Sequence, residues 1–143
     1  MNDPYNLQRF VDAQEADFEI ALGELRAGSK QSHWMWYIFP QLAGLGRSAT
    51  AKYYGIGSID EARAYLAHSV LGSRLRECLQ VIAQWAGRRS AEQILGHIDS
   101  MKLRSCLTLF ESASEDPVFG VGIDAFFGGE RDEATLALLN AEQ

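Results

Sequence analysis

At 143 residues, 47% hydrophobic and 22% charged, the chain has the size and composition of a single domain with an ordinary apolar core, and it needs neither disulfides nor a structural metal to fold. A net charge of −6 disfavours nonspecific nucleic-acid binding, which relies on a broad basic face. No apolar run approaches the roughly 18 residues needed to span a bilayer, and the start of the chain lacks the basic-then-apolar pattern of a secretory signal.

The predicted elements are helical almost throughout. Asp3 is placed to cap a helix with Pro4 at its first position. Leu7, Phe10 and Val11 recur at three- and four-residue spacing, Phe18, Ala21, Leu22 and Leu25 resume the pattern, and Gly28 stops it. From Trp34 to Phe39 the chain is apolar on every face, so the periodicity of His33–Leu42 does not choose between buried helix and buried strand. The helical neighbourhood tips it toward helix. Ser58-Ile59-Asp60-Glu61 reads as a capping box opening a helix with Ala62, Tyr65 and Leu66. Leu71, Leu75, Cys78, Leu79, Ile82 and Trp85 form a long apolar stripe that Gly87 ends. Ser90-Ala91-Glu92-Gln93 is a second capping box, ahead of a short helix ending at Gly96. Asp99 is placed to cap another, with Leu103, Leu107 and Phe110 on one face. Pro117 starts a helix that Gly128-Gly129 terminates, and Asp132 caps the last, with Ala134, Leu136 and Leu139. The expected fold is therefore mainly α: one irregular bundle of about six to eight short helices over residues 1–143. Cys78 and Cys106 both fall in helix-like patterns and read as buried reduced thiols, which sets the expected location as cytoplasmic.

The charge is uneven. Residues 1–25 hold one basic and six acidic side chains, residues 26–104 eleven and five, and residues 105–143 one and eight. Either the acidic ends cover the middle with surface ion pairs, or the middle keeps a local pocket for an anion. Four aromatics cluster at Trp34, Trp36, Tyr37 and Phe39, which reads first as core. Lys30 and His33 precede them, and Gln41 and then Gly44-Leu45-Gly46-Arg47-Ser48 follow. Flat rings beside a cation, an imidazole and a glycine turn suit a heteroaromatic ring with its phosphate, since stacking on such faces contributes about 1–3 kcal/mol per base. Gly44–Ser48 runs into a helix start, where unpaired amides favour anions. The turn at Gly55–Ser58 is a poorer choice, because Asp60 and Glu61 already occupy its first turn. His33 is the candidate general base, since the nearby cation favours the neutral imidazole that role requires. Lys30 and Arg47 are the candidate phosphate partners. Further along, Lys102, Ser105 and Thr108 are polar positions on a helix whose opposite face is Leu103–Leu107–Phe110, and they are expected to face the aromatic motif. No metal site is expected: His33, His68 and His97 lie far apart, with no pair one helical turn from each other.

These residues also resemble a known family. Gly28-x-Lys30-x-x-His33-Trp34-Met35-Trp36-x-Ile38-Phe39-Pro40-Gln41 and Gly44-Leu45-Gly46-x-Ser48 are similar to the hallmark of a small bacterial family of unknown function whose members are often labelled calpastatin. The likeness continues through Glu61-Ala62-x-x-Tyr65-Leu66-x-His68, Leu71-Gly72-x-Arg74-Leu75, Lys102-Leu103-x-Ser105 and Thr108-Leu109-Phe110, and it ends in Phe127-x-Gly129 and Asp132-x-x-Thr135-Leu136. Ser69, where the family usually has proline, and Cys106, where serine is common, depart from it. The resemblance implies a mainly helical fold and no established activity; some relatives are associated with proteins of ADP-ribose metabolism. Calpain inhibitors are long, disordered repeat proteins, and a short, capped, core-rich chain does not fit that label. Two expectations follow. One is a small-molecule site for a nucleotide-like anion, of the ADP-ribose or NAD kind, built on Lys30, His33, Trp34, Trp36, Gln41, Gly44, Gly46, Arg47, Ser48, Lys102, Ser105 and Thr108. The other is a helical protein-interaction module without catalysis. A concave pocket with convergent polar groups separates the first from the second, which needs a flat apolar patch.

Overall fold

The regular helix α1 (Gln8–Ala27) begins later than Pro4. Asn6 adopts a left-handed φ of 52°, which interrupts the helical path. Asp3 still caps this entry, accepting the amides of Leu7 at 2.8 Å and Gln8 at 3.0 Å. This computed structural model describes residues 3–141; Met1, Asn2, Glu142 and Gln143, the ends of the expected 1–143 domain, lie outside them. Helix α1 runs unbroken through both apolar stretches, burying Phe10, Gln14, Phe18, Ala21, Leu22 and Leu25. Gly28 ends it in the left-handed region at φ 68°, and a Cβ there would lie 2.8 Å from the Trp85 ring. Only glycine meets both conditions.

The segment His33–Leu42 is neither all helix nor all strand. One helical turn, α2 (Met35–Ile38), is followed by extended chain, and Leu42 pairs with Ile56 in an isolated parallel bridge. Its backbone bonds are Ala43 N to Ile56 O at 2.7 Å and Ile56 N to Gln41 O at 3.0 Å. Next come α3 (Ala49–Tyr53), capped by Ser48, and α4 (Ile59–Ala67), capped by Ser58. The box expected at Ser58 closes differently. Glu61 reaches the amide of Gly57 at 3.0 Å, one residue further back, while its other oxygen pairs with Arg9 at 2.9 Å.

Helices α5 (Leu71–Ala83) and α6 (Ala91–Leu95) follow, the latter with both halves of the Ser90–Gln93 capping box in place. Helix α7 (His97–Ala113) starts from Gly96, so Asp99 does not cap it; Asp99 lies in the first turn, where its carboxylate engages lysines instead. Helix α8 (Pro117–Phe127) is capped by Asp116 and ended by Gly128, and α9 (Glu133–Ala141) starts where Asp132 accepts the Thr135 amide at 3.0 Å. Among the described residues there are thus nine helices and no strand, three of the helices being one turn long. None is long and apolar enough to cross a membrane.

Helix α7 organises the packing. It contacts α4, α6, α8 and α9, and every residue from Ser105 to Phe110 is buried. A helix apolar on most faces belongs at a core's centre. Phe10, Tyr65, Phe110 and Phe119 carry aromatic contacts from α1 through α4 and α7 to α8, with centroids 5.1–5.8 Å apart. Arg9 joins the edge of this core to the 53–57 loop. Its five N–H groups meet the carbonyls of Tyr5, Asn6, Tyr53 and Gly55 and the carboxylate of Glu61. The N-terminal half of α7, by contrast, reaches the surface, and there the candidate site forms.

Candidate functional site

The aromatic segment is held by one carboxylate. Glu24, near the end of α1, accepts the amides of Gln31 (2.8 Å) and Ser32 (3.0 Å), the Ser32 hydroxyl (2.6 Å) and the indole N–H of Trp34 (2.9 Å). Burial opposes its charge, but the bonds from Ser32, Gln31 and Trp34 outweigh that and hold the carboxyl at about 2. Trp34 is fully buried as a result, so its ring faces are core. Lys30 sits 5.1 Å from that ring and pairs with Asp99 at 2.9 Å, with only 9% of its side chain exposed. Two of the expected ligand-binding residues therefore serve the interior.

Trp36 points the other way. Its half-buried ring borders a groove of about 460 Å³ between the 41–48 loop, α7 and the start of α9. Gln41, Gly46, Arg47 and Ser48 line one wall. The facing wall is a stripe of α7, Ile98, Met101, Lys102 and Ser105, whose spacing of three and four residues keeps them on one side of the helix. Asp132 and Ala134 close the end. The Lys102 ammonium lies 4.8 Å over the Trp36 ring and 3.6 Å from Asp99, so Asp99 joins two lysine–tryptophan pairs, one inside and one at the groove. Arg47 is exposed and has no ion pair among the described residues. Gly46 lets the loop pass close to α3, since a Cβ there would stand 2.5 Å from that of Ala51.

Seven of the twelve expected residues thus meet in one groove: Trp36, Gln41, Gly46, Arg47, Ser48, Lys102 and Ser105. The other five lie outside its lining. His33 is exposed, and what it contributes to the fold is its carbonyl, which accepts the Tyr37 hydroxyl at 3.3 Å. Gly44 is exposed at φ 98° in the turn below. Lys30 and Trp34 are committed as above. Thr108 is fully buried; its hydroxyl donates to the Arg104 carbonyl and accepts the Asp132 amide at 2.9 Å, which anchors the start of α9. Two expected anion-binding features are also already occupied: the Ser48 hydroxyl caps α3 by accepting the Ala51 amide at 3.1 Å, and the Ser105 hydroxyl donates to the Met101 carbonyl at 3.2 Å.

Sequence reasoning missed Asp99, Asp132, Ile98 and Met101 as parts of this site. The α7 stripe was available as a signal, since 98, 101, 102 and 105 share one face, but Asp99 and Asp132 both read as helix caps. A second groove of about 470 Å³ lies beyond Met101, with Ser100, Arg104, Phe126 and Phe127 in its walls. Its cation is already flanked, the Arg104 guanidinium lying 3.9 Å from both Glu130 and Asp132. The Trp36 groove, with an arginine that has no ion pair among the described residues and a half-buried indole in its lining, is the stronger candidate.

Among the described residues no three potential metal ligands converge. Both cysteines are free and buried. Burial pushes the Cys78 thiol up to about 12 and Cys106 well above its ordinary value, so neither is poised as a nucleophile.

The fold and site define a small, mainly helical protein with an aromatic, cation-edged surface groove at Trp36. The chain belongs to the family described as "protein of unknown function (DUF1810)", whose model matches residues 4–139. It is similar to the crystal structure of the conserved hypothetical protein Rv1873 from Mycobacterium tuberculosis, with 47% identity, 96% of this chain and 99% of that chain covered, and a TM-score of 0.94. No curated protein matches it.

Proposed function

We propose that the Trp36 groove binds a small nucleotide-like anion. The observation that supports the reading most is the meeting of Trp36, Arg47 and Lys102, from two segments more than fifty residues apart, around one concave space. Its volume falls within the roughly 300–1,000 Å³ typical of small-molecule sites. Lys102 and Arg47 supply charge for a phosphate, and the half-buried Trp36 ring supplies an apolar border for a base or sugar. The function is binding, with no proton transfer assigned to His33. The ADP-ribose association of some relatives makes ADP-ribose and AMP the first ligands to try. The buried reduced thiols favour a cytoplasmic setting. The calpastatin label has no counterpart here, because a chain with an aromatic core and capped helices is not a disordered inhibitor.

The test is isothermal titration, together with tryptophan fluorescence, against AMP and ADP-ribose. Arg47→Ala and Lys102→Ala should each weaken binding by about 1.5–3 kcal/mol, the range for a hydrogen bond to a charged group. Lys52→Ala, an exposed cation outside the groove, should leave it unchanged. Absence of binding at millimolar ligand, or equal affinity in all three variants, rejects the reading. One observation favours a second reading. Ile98 and Met101, 69% and 47% exposed, put an apolar strip on the α7 wall of the groove, the kind of surface a protein partner covers. If the nucleotides fail, that strip is the interaction module's contact face.

A further inference from the structure

The groove carries charges of both signs. Lys102 lines it, with Asp99 at 3.6 Å. Asp132 lines it too, fixed by its amide to the Thr108 hydroxyl at 2.9 Å. Thr108 is six residues beyond Lys102 on the same helix, a rise of about 9 Å along its axis, and the Asp132 backbone is anchored at that level. Asp132 is also held firmly. One carboxylate oxygen accepts both the amide (3.0 Å) and the hydroxyl (2.6 Å) of Thr135. The other has Arg104 as its nearest cation at 3.9 Å, beyond hydrogen-bond reach, so its lone pairs remain available. The side chain is 15% exposed, enough for contact from the groove.

A fixed carboxylate repels a second anion and accepts from neutral donors. We infer that Asp132 is a specificity-determining residue, and that the groove selects a ligand with a phosphate for Lys102 and Arg47 and vicinal hydroxyls for Asp132. This rests on the anion-binding reading above and narrows it to a phosphorylated ribose, free or within a nucleotide. A carboxylate bonded to ribose hydroxyls is a recurrent way of recognising that sugar. A ligand charged at both ends, such as a bisphosphate, is excluded by the same group, because leaving a carboxylate against a phosphate at short range is unfavourable in a partly desolvated groove.

The experiment titrates the protein and its Asp132→Asn variant with four probes: AMP, 2′,3′-dideoxy-AMP, ribose 5-phosphate and ribose 1,5-bisphosphate. Asparagine keeps the cap on α9, and Asp132→Ser, which also caps, replaces it should the first variant fail to fold. The native protein should bind AMP at least tenfold more tightly than dideoxy-AMP, and the bisphosphate more weakly than the monophosphate. In Asp132→Asn both differences should shrink toward unity. Ribose 5-phosphate binding as well as AMP identifies the sugar phosphate as sufficient; weaker binding adds a contribution from the base. Both outcomes support the assignment. Equal affinity for AMP and its dideoxy form in the native protein overturns the role of Asp132 while the anion site stands. If no probe binds, the anion site falls and the specificity assignment with it.

Discussion

Replacing Glu24 by glutamine tests how the aromatic segment is held. The carboxylate gathers four donors across the turn between α1 and α2, three of them from Gln31 and Ser32 and the fourth the Trp34 indole. A glutamine carbonyl in the Oε1 position keeps the three N–H donors of Gln31, Ser32 and Trp34 on a neutral, weaker acceptor, and its amide nitrogen loses the bond from the Ser32 hydroxyl. Depression of the carboxyl from its ordinary 4.5 to about 2 corresponds to a ceiling of roughly 3 kcal/mol of folding free energy. Solvent reaches part of this side chain, and screening lowers the expected figure to about 1–3 kcal/mol.

The sign fixes the pH window. A carboxyl whose folded value is depressed stabilises the protein fully above about 4.5 and loses that contribution as the pH falls toward about 2. Urea unfolding of the native protein and Glu24→Gln at a series of pH values from 7 to 2.5 should show a gap that is widest at pH 7 and closes below pH 4.5. Other carboxylates protonate in both proteins and cancel in the difference. A gap that stays constant over the whole range would mean that shape, and not the charge of Glu24, holds the segment.

Arg9→Ala removes a guanidinium whose partner Glu61 is equally buried, both side chains being 8% exposed. It should destabilise the protein by about 3–5 kcal/mol in chemical denaturation, with partial recovery when Glu61→Gln is added. Thr108→Val preserves volume but strips the Asp132 amide of its acceptor. A loss of about 1–3 kcal/mol is expected, together with reduced protection of the first α9 amides in hydrogen exchange. Cys78 and Cys106 should resist a disulfide reagent in the native protein at pH 8 and both react in denaturant; rapid native labelling would contradict their buried, protonated state.

The helical frame was legible because its punctuation is local. Ser58, Ser90, Asp132, Pro117, Gly28 and Gly128 act within five residues of themselves, and each sits at a helix boundary in the structure. The His33–Leu42 segment was not, because a run apolar on every face has no phase to read. Its outcome is set by Pro40, which follows one helical turn, and by Ile56, fourteen residues past Leu42. In the candidate site, residue types were legible and partners were not. A lysine beside a tryptophan looks the same in sequence whether it meets a ligand or an aspartate of its own chain; Lys30 meets Asp99, sixty-nine positions away. Thr108 likewise reads as a polar site residue, although helix periodicity alone does not show that α9 starts against it.

The uneven charge admitted two readings, acidic ends that cover the basic middle or a middle that keeps an anion pocket, and the ion pairs divide the molecule between them. Arg74 pairs with Glu15, Arg76 with Asp116, and Arg104 approaches Glu130 and Asp132, so much of the excess charge is met by the two acidic ends. Such pairs are individually modest in effect, but they remove these arginines from the list of free cations. Lys102 is only half removed, because Asp99 is shared with Lys30, which holds it at 2.9 Å against 3.6 Å for Lys102. Of the two closer contacts, the inner one is the better shielded and the stronger. The carboxylate that holds Lys102 is therefore already neutralised from behind, and Arg47 lines the same groove with no ion pair among the described residues. Two cations, Lys102 and Arg47, thus line the groove, although the protein as a whole is acidic.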